Sequence, residues 1–346
     1  MREKPSISEE ALRACLQEQY NISPVTLDFL PLGLDTRAGV FRAVSEQGAP
    51  FLLKVKPIPL YEPSCLIPRY LRDQEIASVV APLPTKKNTL WTQVGEWAVI
   101  VYPFIDGKTG WRPALNEGQW KATGAALKEI HSVSLPPGGM GSLRKEAFDP
   151  TGYGRWISEV EMYLTGPPGV GTSERALHSG WIEHQTTIRT LQSSMEVLAA
   201  VLREQSGPFV ICHADLHPGN IIRGHSGDIF VIDWDDVMLA PRERDFIFVG
   251  EVGEDRQLQP HTSPFFQGYG HVNIDWVALI YYRLERVVQD MIAWAQDVFF
   301  RDDLEEETKA EAVHYFKAHL AEGGEVDVVW ALAAHLPAGL LSSNKV

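Results

Sequence analysis

The stretch that decides the fold of this chain runs from residue 209 to residue 236 and reads FVICHADLHPGNIIRGHSGDIFVIDWDD. Apolar runs flank a turn-rich segment, 224–228, and this pattern predicts a β-hairpin. We place the centre of the turn between positions 226 and 227. Asn220 and Asp233 are equidistant from that centre, so in an antiparallel hairpin they would face each other with Cα atoms about 4.5–5.5 Å apart.

An amide oxygen and a carboxylate held side by side are hard ligands that suit Mg²⁺, which would complete its shell with phosphate and water. The hairpin therefore predicts Asn220 and Asp233 as magnesium ligands. Asp215 precedes Asn220 by five residues, in a loop containing Pro and Gly at the same end of the hairpin. A carboxylate near a metal-bound phosphate, but not committed to the metal, can orient a hydroxyl and accept its proton. Asp215 is thus the predicted catalytic residue.

The periodicity along the chain changes near residue 103. Before that point, segments with a period of two predict strands, among them a hairpin over 40–56 and two strands over 89–102. Beyond it, apolar residues recur at helical spacing over 115–131, 175–204 and 274–300. A β-rich part of about 100 residues thus precedes a mostly helical part of about 240 that contains the catalytic hairpin.

The spacing His-x-Asp-x-x-x-x-Asn, followed by an Asp at a strand end, is that of the catalytic loop of protein kinases. Residues 213–220 and 232–236 together resemble the aminoglycoside phosphotransferase family, small-molecule kinases with a protein-kinase-like fold, and its choline-kinase-like relatives. The chain is most similar to the spectinomycin phosphotransferase branch. The segments that carry this closer resemblance are 102–105, 119–121, 130–131, 143–146, 238–245, 268–270 and 281–286.

The resemblance implies an α+β, two-lobed fold. A small N-terminal lobe with an antiparallel sheet, residues 1–104, would bind the nucleotide. A larger, mostly helical C-terminal lobe, residues 105–346, would carry the catalytic loop and the acceptor site. The implied cofactors are ATP, with GTP not excluded, and Mg²⁺.

The third strand of the β-rich part carries two lysines, Lys54 and Lys56. Their equal parity places both on one face of the sheet, so alternation does not choose between them. We favour Lys54, which lies between Leu53 and Val55, whereas Lys56 precedes a proline at the strand end. The resemblance implies that Lys54 binds the α- and β-phosphates. It also implies an acidic partner for Lys54 in the next helix, Glu62, with Glu75 as the second candidate.

The remaining nucleotide contacts are implied by the resemblance. Residues 32–39 would form the loop over the nucleotide, with Gly33 and Gly39 as its only glycines, so backbone cradling of phosphate is weaker than in G-x-G-x-x-G. The hinge at 102–105 would meet the adenine edge through the backbone of Pro103, Phe104 and Ile105.

Charge and composition exclude several classes of partner. The chain has 31 Lys and Arg against 45 Asp and Glu, a net charge of -14. This balance argues against nucleic acid or an anionic membrane as partner, since neutralising phosphates takes a basic face. We find no apolar stretch of about 18 residues that would predict a membrane span. Three cysteines without a C-x-x-C pair, and an N-terminus without an apolar signal core, favour a cytoplasmic protein.

A cationic acceptor would find acidic residues close to the catalytic hairpin. Asp235 and Asp236 follow the predicted metal ligand, and Tyr281 and Glu285 lie one turn apart on the long helix predicted at 274–300. We predict these four as acceptor contacts, although the acidic cluster also suits a solvated surface and the long helix is mostly core. The resemblance implies antibiotic-resistance chemistry on an aminocyclitol, with spectinomycin first.

Other interpretations stay open at this stage. The same chemistry could act on choline, homoserine, a methylthiosugar or a macrolide. A nucleotide-binding pseudokinase and a nucleotide-dependent hydrolase without an acceptor are further alternatives. His213 and Asp245 are expected to be structural, with Asp245 tying the catalytic loop to the helix that follows it, and Cys212 is expected to be buried packing.

Overall fold

In the computed structural model of the chain, the described residues are 4–32, 38–111, 113–136, 140–167, 169–205, 207–252 and 257–341. The helices are α1 (Glu9–Tyr20), α2 (Pro63–Asp73), α3 (Glu117–Ser132), α4 (Thr151–Leu164), α5 (Thr172–Glu183), α6 (Gln185–Arg203), α7 (Pro264–Tyr269), α8 (Trp276–Phe299), α9 (Glu306–Leu320) and α10 (Glu325–Leu332). The strands are β1 (Pro24–Leu30), β2 (Gly39–Ser45), β3 (Pro50–Pro57), β4 (Thr92–Val94), β5 (Trp97–Pro103), β6 (Gly107–Thr109), β7 (Val210–Cys212), β8 (Ile221–Gly224), β9 (Ile229–Val231), β10 (Met238–Ala240), β11 (Glu251–Val252) and β12 (Gln257–Leu258).

The predicted mixture of helices and antiparallel strands is confirmed, and the chain divides into two compact units. The first comprises Met1–Lys145, Val210–Val249 and His261–His271, and the second comprises Glu146–Phe209, Gly250–Pro260 and Val272–Val346. This division does not coincide with the lobe boundary predicted at residue 104. The catalytic hairpin, expected in the C-terminal lobe, joins the first unit because its strands pair with segments from the N-terminal part of the chain.

The first unit is built on a five-stranded antiparallel sheet in the order β1-β2-β3-β5-β4. On the central strand β3, Leu53 and Val55 are fully buried in a core shared with α1. Because neighbouring residues of a strand point to opposite faces, Lys54 and Lys56 lie on the face away from this core. The strand therefore presents both ammonium groups on one side, as the sequence predicts.

The catalytic hairpin forms between β8 and β9, but its register differs from the predicted one. Ile221 pairs with Val231, which places Asn220 across from Ile232 and not from Asp233. The N–H of Ile232 donates to the carbonyl of Asn220 at 3.0 Å. The prediction of a directly facing Asn220–Asp233 pair is therefore wrong by one residue.

The turn explains this shift of register. The N–H of Gly224 donates to the carbonyl of Asp228 at 2.9 Å, and that of Gly227 donates to the carbonyl of Gly224 at 3.2 Å. Gly227 has φ +91°, a conformation that glycine adopts without strain. Three residues lie between Gly224 and Asp228, so the turn is centred on Ser226 and not between two residues.

Both edges of the hairpin are paired. Strand β6 adds to β8 in antiparallel register. On the other side, the N–H of Val231 donates to the carbonyl of Ser78 at 2.7 Å, and the N–H of Val80 donates to the carbonyl of Val231 at 3.1 Å. Segments that follow β5 and α2 thus hold the hairpin, and this pairing fixes the loops at its end.

Helices α3 and α7 approach closely in the first unit. A Cβ atom at Gly124 would collide with the backbone of Phe265 and Tyr269, and one at Gly268 would collide with the backbone of Lys121. Glycine at these two positions lets the helix backbones touch. The contact brings His131 of α3 next to Tyr269 of α7.

The second unit is mostly helical. Its longest helix, α8, has 24 residues, most of them buried, in agreement with the pattern at 274–300. The single helix predicted at 175–204 is instead two helices, α5 and α6. His184, with φ -106° and ψ 14°, departs from helical geometry and separates them. Among the described residues, no helix combines the length and the hydropathy that crossing a membrane requires.

We predict that Gly124→Ala destabilises the protein by about 1–3 kcal/mol, because an added methyl group meets backbone atoms that cannot turn aside. The matched control is Gly152→Ala, also inside a helix, where a Cβ atom meets nothing within 4 Å. That control should be neutral or stabilising by up to about 1 kcal/mol, since alanine has the higher helix propensity. Chemical denaturation of both variants measures the difference, and equal effects would contradict the close contact of α3 with α7.

Candidate active site

The loop that carries Asp215 leaves strand β7 at Cys212 and is held from inside by His213. The His213 side chain is fully buried, with Nε2 2.8 Å from the carbonyl of Ile232. The N–H of Asp215 points to Nδ1 of the same ring at 3.3 Å. Because Nδ1 accepts, Nε2 carries the proton and donates to the carbonyl. His213 thus joins the loop to the end of the hairpin, in agreement with its expected structural role.

Asp245 holds the same loop through its backbone. Its two carboxylate oxygens accept the N–H groups of His213 at 2.8 Å and of Ala214 at 2.6 Å. Ala214 has φ +69°, a left-handed conformation that disfavours side chains, and these hydrogen bonds stabilise it. The predicted link between Asp245 and the catalytic loop is therefore present as two direct hydrogen bonds.

A histidine that sequence reasoning did not assign completes this support. Nε2 of His131 lies 3.0 Å from Asp245, and its Nδ1 lies 2.9 Å from the hydroxyl of Tyr269. Burial alone would raise the pKa of Asp245, but the hydrogen bond and charge of His131, with the N–H of Ala214, hold that pKa below its usual value. The carboxylate is thus kept ionised and able to accept the hydrogen bonds of the loop.

Cys212 is buried beside this network, as predicted. Its ligand atom and those of His131 and Asp245 lie within 4.8 Å of one another, a grouping that resembles a metal site. The Cys212 thiol, however, faces the carbonyls of Ala240 and Pro241, each at 3.5 Å, and burial raises its pKa well above the usual value. Because Asp245 already accepts three hydrogen bonds, we interpret the cluster as structural.

Asp215 and Asn220 are brought together by the turn between them. Nδ2 of Asn220 donates to the carbonyl of Asp215 at 2.9 Å and to its Oδ2 at 3.2 Å. Asn220 is buried, whereas the Asp215 side chain keeps about a fifth of its surface exposed (21%). With its amide hydrogens directed to Asp215, Asn220 retains Oδ1 as the acceptor atom available to a cation.

A second histidine lies beside Asp215. Nδ1 of His217 accepts the N–H of Gly219 at 2.9 Å, so its Nε2 carries the proton, 3.6 Å from Oδ2 of Asp215. Trp111 stacks on the His217 ring with centroids 5.5 Å apart and is itself exposed. His217 and Trp111 therefore border the carboxylate of Asp215, and no motif or periodicity in the sequence points to Trp111.

Asp233 follows strand β9 by two residues and has φ +65°. A non-glycine residue in this region is strained, and such strain persists where surrounding contacts hold it. The carboxylate remains 42% exposed, and its Oδ1 accepts a hydrogen bond from Nζ of Lys54 at 2.6 Å. Asp233 thus connects the end of the hairpin with the central strand of the sheet.

Lys54 and Lys56 share a second carboxylate. Oδ2 of Asp235 lies 2.6 Å from Nζ of Lys54 and 2.6 Å from Nζ of Lys56. Burial would lower the pKa of Lys54, but the charges of Asp233 and Asp235 outweigh it and hold that pKa well above its usual value. Lys54 thus contacts the carboxylates of both Asp233 and Asp235, and Lys56 contacts that of Asp235.

The predicted pairing of Lys54 with Glu62 is not formed. Glu62 is the residue before α2, and its Oε1 accepts a hydrogen bond from the indole N–H of Trp91 at 3.3 Å. The second candidate, Glu75, lies past the end of α2 with φ +65°. Nζ of Lys54 instead contacts the carboxylates of Asp233 and Asp235, each at 2.6 Å.

The remaining nucleotide predictions fall on two segments. Gly33 lies outside the described residues. Strand β5 ends at Pro103, and Phe104 and Ile105 join it to β6. Since proline has no N–H, a backbone donor for an adenine edge would come from Phe104 or Ile105. The guanidinium of Arg42 lies 5.0 Å from the Phe104 ring centre.

The four predicted acceptor contacts are placed differently from expectation. Asp235 is engaged by two lysines, so it is not a free anion for a cationic acceptor. Asp236 is half exposed and pairs with Arg144 at 3.3 Å. Tyr281 has no exposed surface and Glu285 is 7% exposed. Both lie in the second unit, where the hydroxyl of Tyr281 donates to Glu285 at 3.4 Å. The long helix buries these two side chains because its apolar stripe continues past them.

The donor chemistry of the site fits a magnesium ion. Asn220 retains a carbonyl oxygen, and Asp233 is a partly exposed carboxylate. Hard oxygen donors in small number, with room for phosphate and water, are what Mg²⁺ prefers. The register shift does not separate these residues, because Ile232 between them pairs directly with Asn220.

Residues 28–280 match the model of the phosphotransferase enzyme family APH. The chain belongs to this family. The phosphotransferase uses ATP to phosphorylate a hydroxyl group, as the enzymes of the family do. The resemblance stated from the sequence is confirmed, and so is the kinase-like fold.

Solved structures resemble the phosphotransferase over nearly its whole length. A spectinomycin phosphotransferase, APH(9)-Ia, in complex with ADP and spectinomycin is 30% identical, with a TM-score of 0.83, and covers 95% of this chain and 99% of its own. Its AMP-bound complex is 29% identical, with a TM-score of 0.78, and covers 94% and 99%. The choline kinase LicA from Streptococcus pneumoniae is 14% identical, with a TM-score of 0.51, and covers 94% and 99%, which shows a shared fold alone.

We predict that Asp233→Ala abolishes Mg²⁺-dependent phosphoryl transfer, because Asn220 alone offers one neutral oxygen to the cation. Titration of Mg²⁺ and Mn²⁺ in an ADP-release assay measures the effect. Asp228→Ala, an exposed aspartate in the turn of the same hairpin, is the control and should keep the metal requirement of the wild type. An unchanged requirement in Asp233→Ala would refute the metal assignment.

Proposed function

We propose that this phosphotransferase transfers the γ-phosphoryl group of ATP, with Mg²⁺, to a hydroxyl of a cationic aminocyclitol, with spectinomycin as the first candidate. The support for the acceptor is the 30% identity, over 95% of the chain, with an enzyme solved with ADP and spectinomycin. The net charge of -14 is compatible with a cationic acceptor. Choline, homoserine, a methylthiosugar and a macrolide are the alternative acceptors.

The observation that best supports this reaction is that several hydrogen bonds hold the carboxylate of Asp215 and its loop in place. Its loop is held by Asp245 and His213, and its side chain accepts a hydrogen bond from Asn220 at 3.2 Å. A carboxylate fixed in this way can orient an acceptor hydroxyl and take its proton as the oxygen attacks phosphorus. Phosphoryl transfer asks a protein mainly for such positioning and for neutralisation of charge.

The other residues act on the nucleotide. We assign Lys54 to the α- and β-phosphates, because it is the lysine that contacts both carboxylates at the hairpin end. Asn220 and Asp233 would hold Mg²⁺, which when bound neutralises phosphate charge and orients the γ-phosphoryl group. Phe104 and Ile105 offer backbone donors for the base, which permits adenine and does not exclude guanine.

We predict that Asp215→Asn lowers kcat by roughly 10²–10⁴-fold, the range typical for loss of a general base, and leaves ADP affinity within about threefold. An amide keeps the size of the side chain but cannot accept the proton. Steady-state kinetics and calorimetric ADP binding separate the two effects, and Asp228→Asn serves as the matched control. A kcat within about threefold of the wild-type value would contradict the assignment of Asp215 as the general base.

For the acceptor, we predict that spectinomycin has a higher kcat/KM than a kanamycin-type aminoglycoside, choline or a macrolide. The advantage over the kanamycin-type aminoglycoside rests on the similarity to the enzyme solved with spectinomycin. An ammonium about 4 Å from a carboxylate gains of order 1 kcal/mol in water and about 4 near a protein surface, so carboxylates in an acceptor site would favour a dication over the monocationic choline. The preference should weaken as salt screens exposed pairs beyond about 8–10 Å. If a neutral or monocationic acceptor exceeds spectinomycin tenfold, the acceptor is wrong, whereas the phosphotransferase assignment stands.

A further inference from the structure

The helix that follows the lysine strand supplies no carboxylate to Lys54. Asp73 is the single acidic residue of α2, and it lies exposed at the C-terminal end, paired with Arg69 at 2.5 Å. Glu62, just before the helix, is engaged by Trp91. The buried residues of the helix are all uncharged, namely Pro63, Ser64, Cys65, Ile67, Pro68 and Leu71. The face that α2 turns inward therefore holds no anion for an ammonium group.

A thiol of this helix lies near the lysines. Burial raises the pKa of Cys65 to about 11, and the charges of Asp235, Lys54 and Lys56 also act on it. At neutral pH Cys65 therefore stays a neutral thiol and cannot balance the charge of a lysine. A buried ammonium group without a carboxylate would be strongly unfavourable.

The required anion comes from the loop after the hairpin. Asp235 accepts hydrogen bonds from Lys54 and Lys56, both at 2.6 Å, and its side chain is 23% exposed. An aspartate in hydrogen-bond contact with two ammonium groups supplies the negative charge that the lysines need.

Asp233 cannot serve as the dedicated partner of Lys54. Its carboxylate is the more exposed of the two, 42% against 23%, and the proposed function assigns it to the metal ion. Asp235 has no such second duty, and its two lysine contacts fix its position.

We propose that Asp235 is the positioning residue that holds Lys54 for the nucleotide phosphates, in the role for which the family resemblance predicts an acidic residue at α2. The carboxylate of the lysine pair then comes from the loop after the catalytic hairpin, two residues beyond the proposed metal ligand. Asp235 is accordingly removed from the acceptor site. This inference rests on the proposed role of Lys54 in nucleotide binding.

The test measures ADP binding by calorimetry without any acceptor, for wild type, Lys54→Met, Asp235→Asn and the double variant. Asp235→Asn should weaken ADP binding about tenfold or more, because a charge-assisted hydrogen bond that orients Lys54 is lost. If Asp235 acts through Lys54, the double variant binds ADP no more weakly than Lys54→Met alone. Additive losses, or an affinity of Asp235→Asn within twofold of wild type, would overturn the proposal.

Two comparison variants sharpen this test. Asp73→Asn makes the same substitution on the exposed end of α2 and should leave ADP affinity unchanged. Glu62→Gln tests the alternative partner directly. A loss of ADP affinity in Glu62→Gln, together with wild-type affinity in Asp235→Asn, would establish the helix pair and refute the role of Asp235.

Thermal unfolding of each variant shows whether it is folded. If Asp235→Asn does not fold, Asp235→Glu replaces it in the test, since glutamate keeps the negative charge and displaces it by one methylene group. Its ADP affinity should fall when Lys54 is present and should not fall further in the Lys54→Met background. Steady-state kinetics add a second readout, in which the KM for ATP rises and the KM for the acceptor does not.

The outcomes separate this inference from the proposed function. ADP binding needs no acceptor, so a wrong acceptor leaves every prediction for Asp235 unchanged. Wild-type ADP affinity in Lys54→Met would overturn the role of Lys54 and this inference together. A clear loss in Lys54→Met with none in Asp235→Asn would overturn the role of Asp235 alone.

Discussion

The site of this phosphotransferase depends on the contact between a lysine of the central strand and the carboxylates at the end of the hairpin. Nζ of Lys54 lies 2.6 Å from Asp233 and 2.6 Å from Asp235. An ammonium group so removed from water needs anions beside it, since an unpaired buried charge costs several kcal/mol. The sheet and the catalytic hairpin meet at this point, and the residues proposed to bind phosphate and metal are held together by these two ionic contacts.

The catalytic loop is held by a different set of interactions, through its backbone. Asp245 accepts the N–H groups of His213 and Ala214 and is in turn supported by His131. His131 also contacts Tyr269 of α7, which the glycine contacts between α3 and α7 bring close. A buried carboxylate with several donors keeps the left-handed turn at Ala214 in place. The position of the loop that contains Asp215 thus depends on two buried residues outside it, Asp245 and His131.

In both arrangements, the residues proposed to react are more exposed than the residues that hold them in position. The groups proposed to act on substrate, Asp215 and Asp233, keep exposed surface, whereas Asp245 and His213 are buried. Exposed carboxylates can exchange water for a ligand, and buried ones cannot do so without a large desolvation penalty. Asp235 is intermediate in exposure. Because it contacts two lysines, we group it with the residues that hold other side chains in position and not with those proposed to react with substrate.

The sequence alone determined the elements whose signal is local. The spacing from His213 to Asn220, the two lysines of β3 and the apolar stripe of α8 follow from motif or periodicity, and the structure contains each of them. The register of the hairpin, the partner of Lys54 and the burial of Tyr281 were decided by tertiary structure. A three-residue turn moved the register by one, and no periodicity reports the length of a turn. The carboxylate that pairs with a lysine depends on which acidic side chains the fold places beside it. That placement is decided only when segments distant in sequence have packed together.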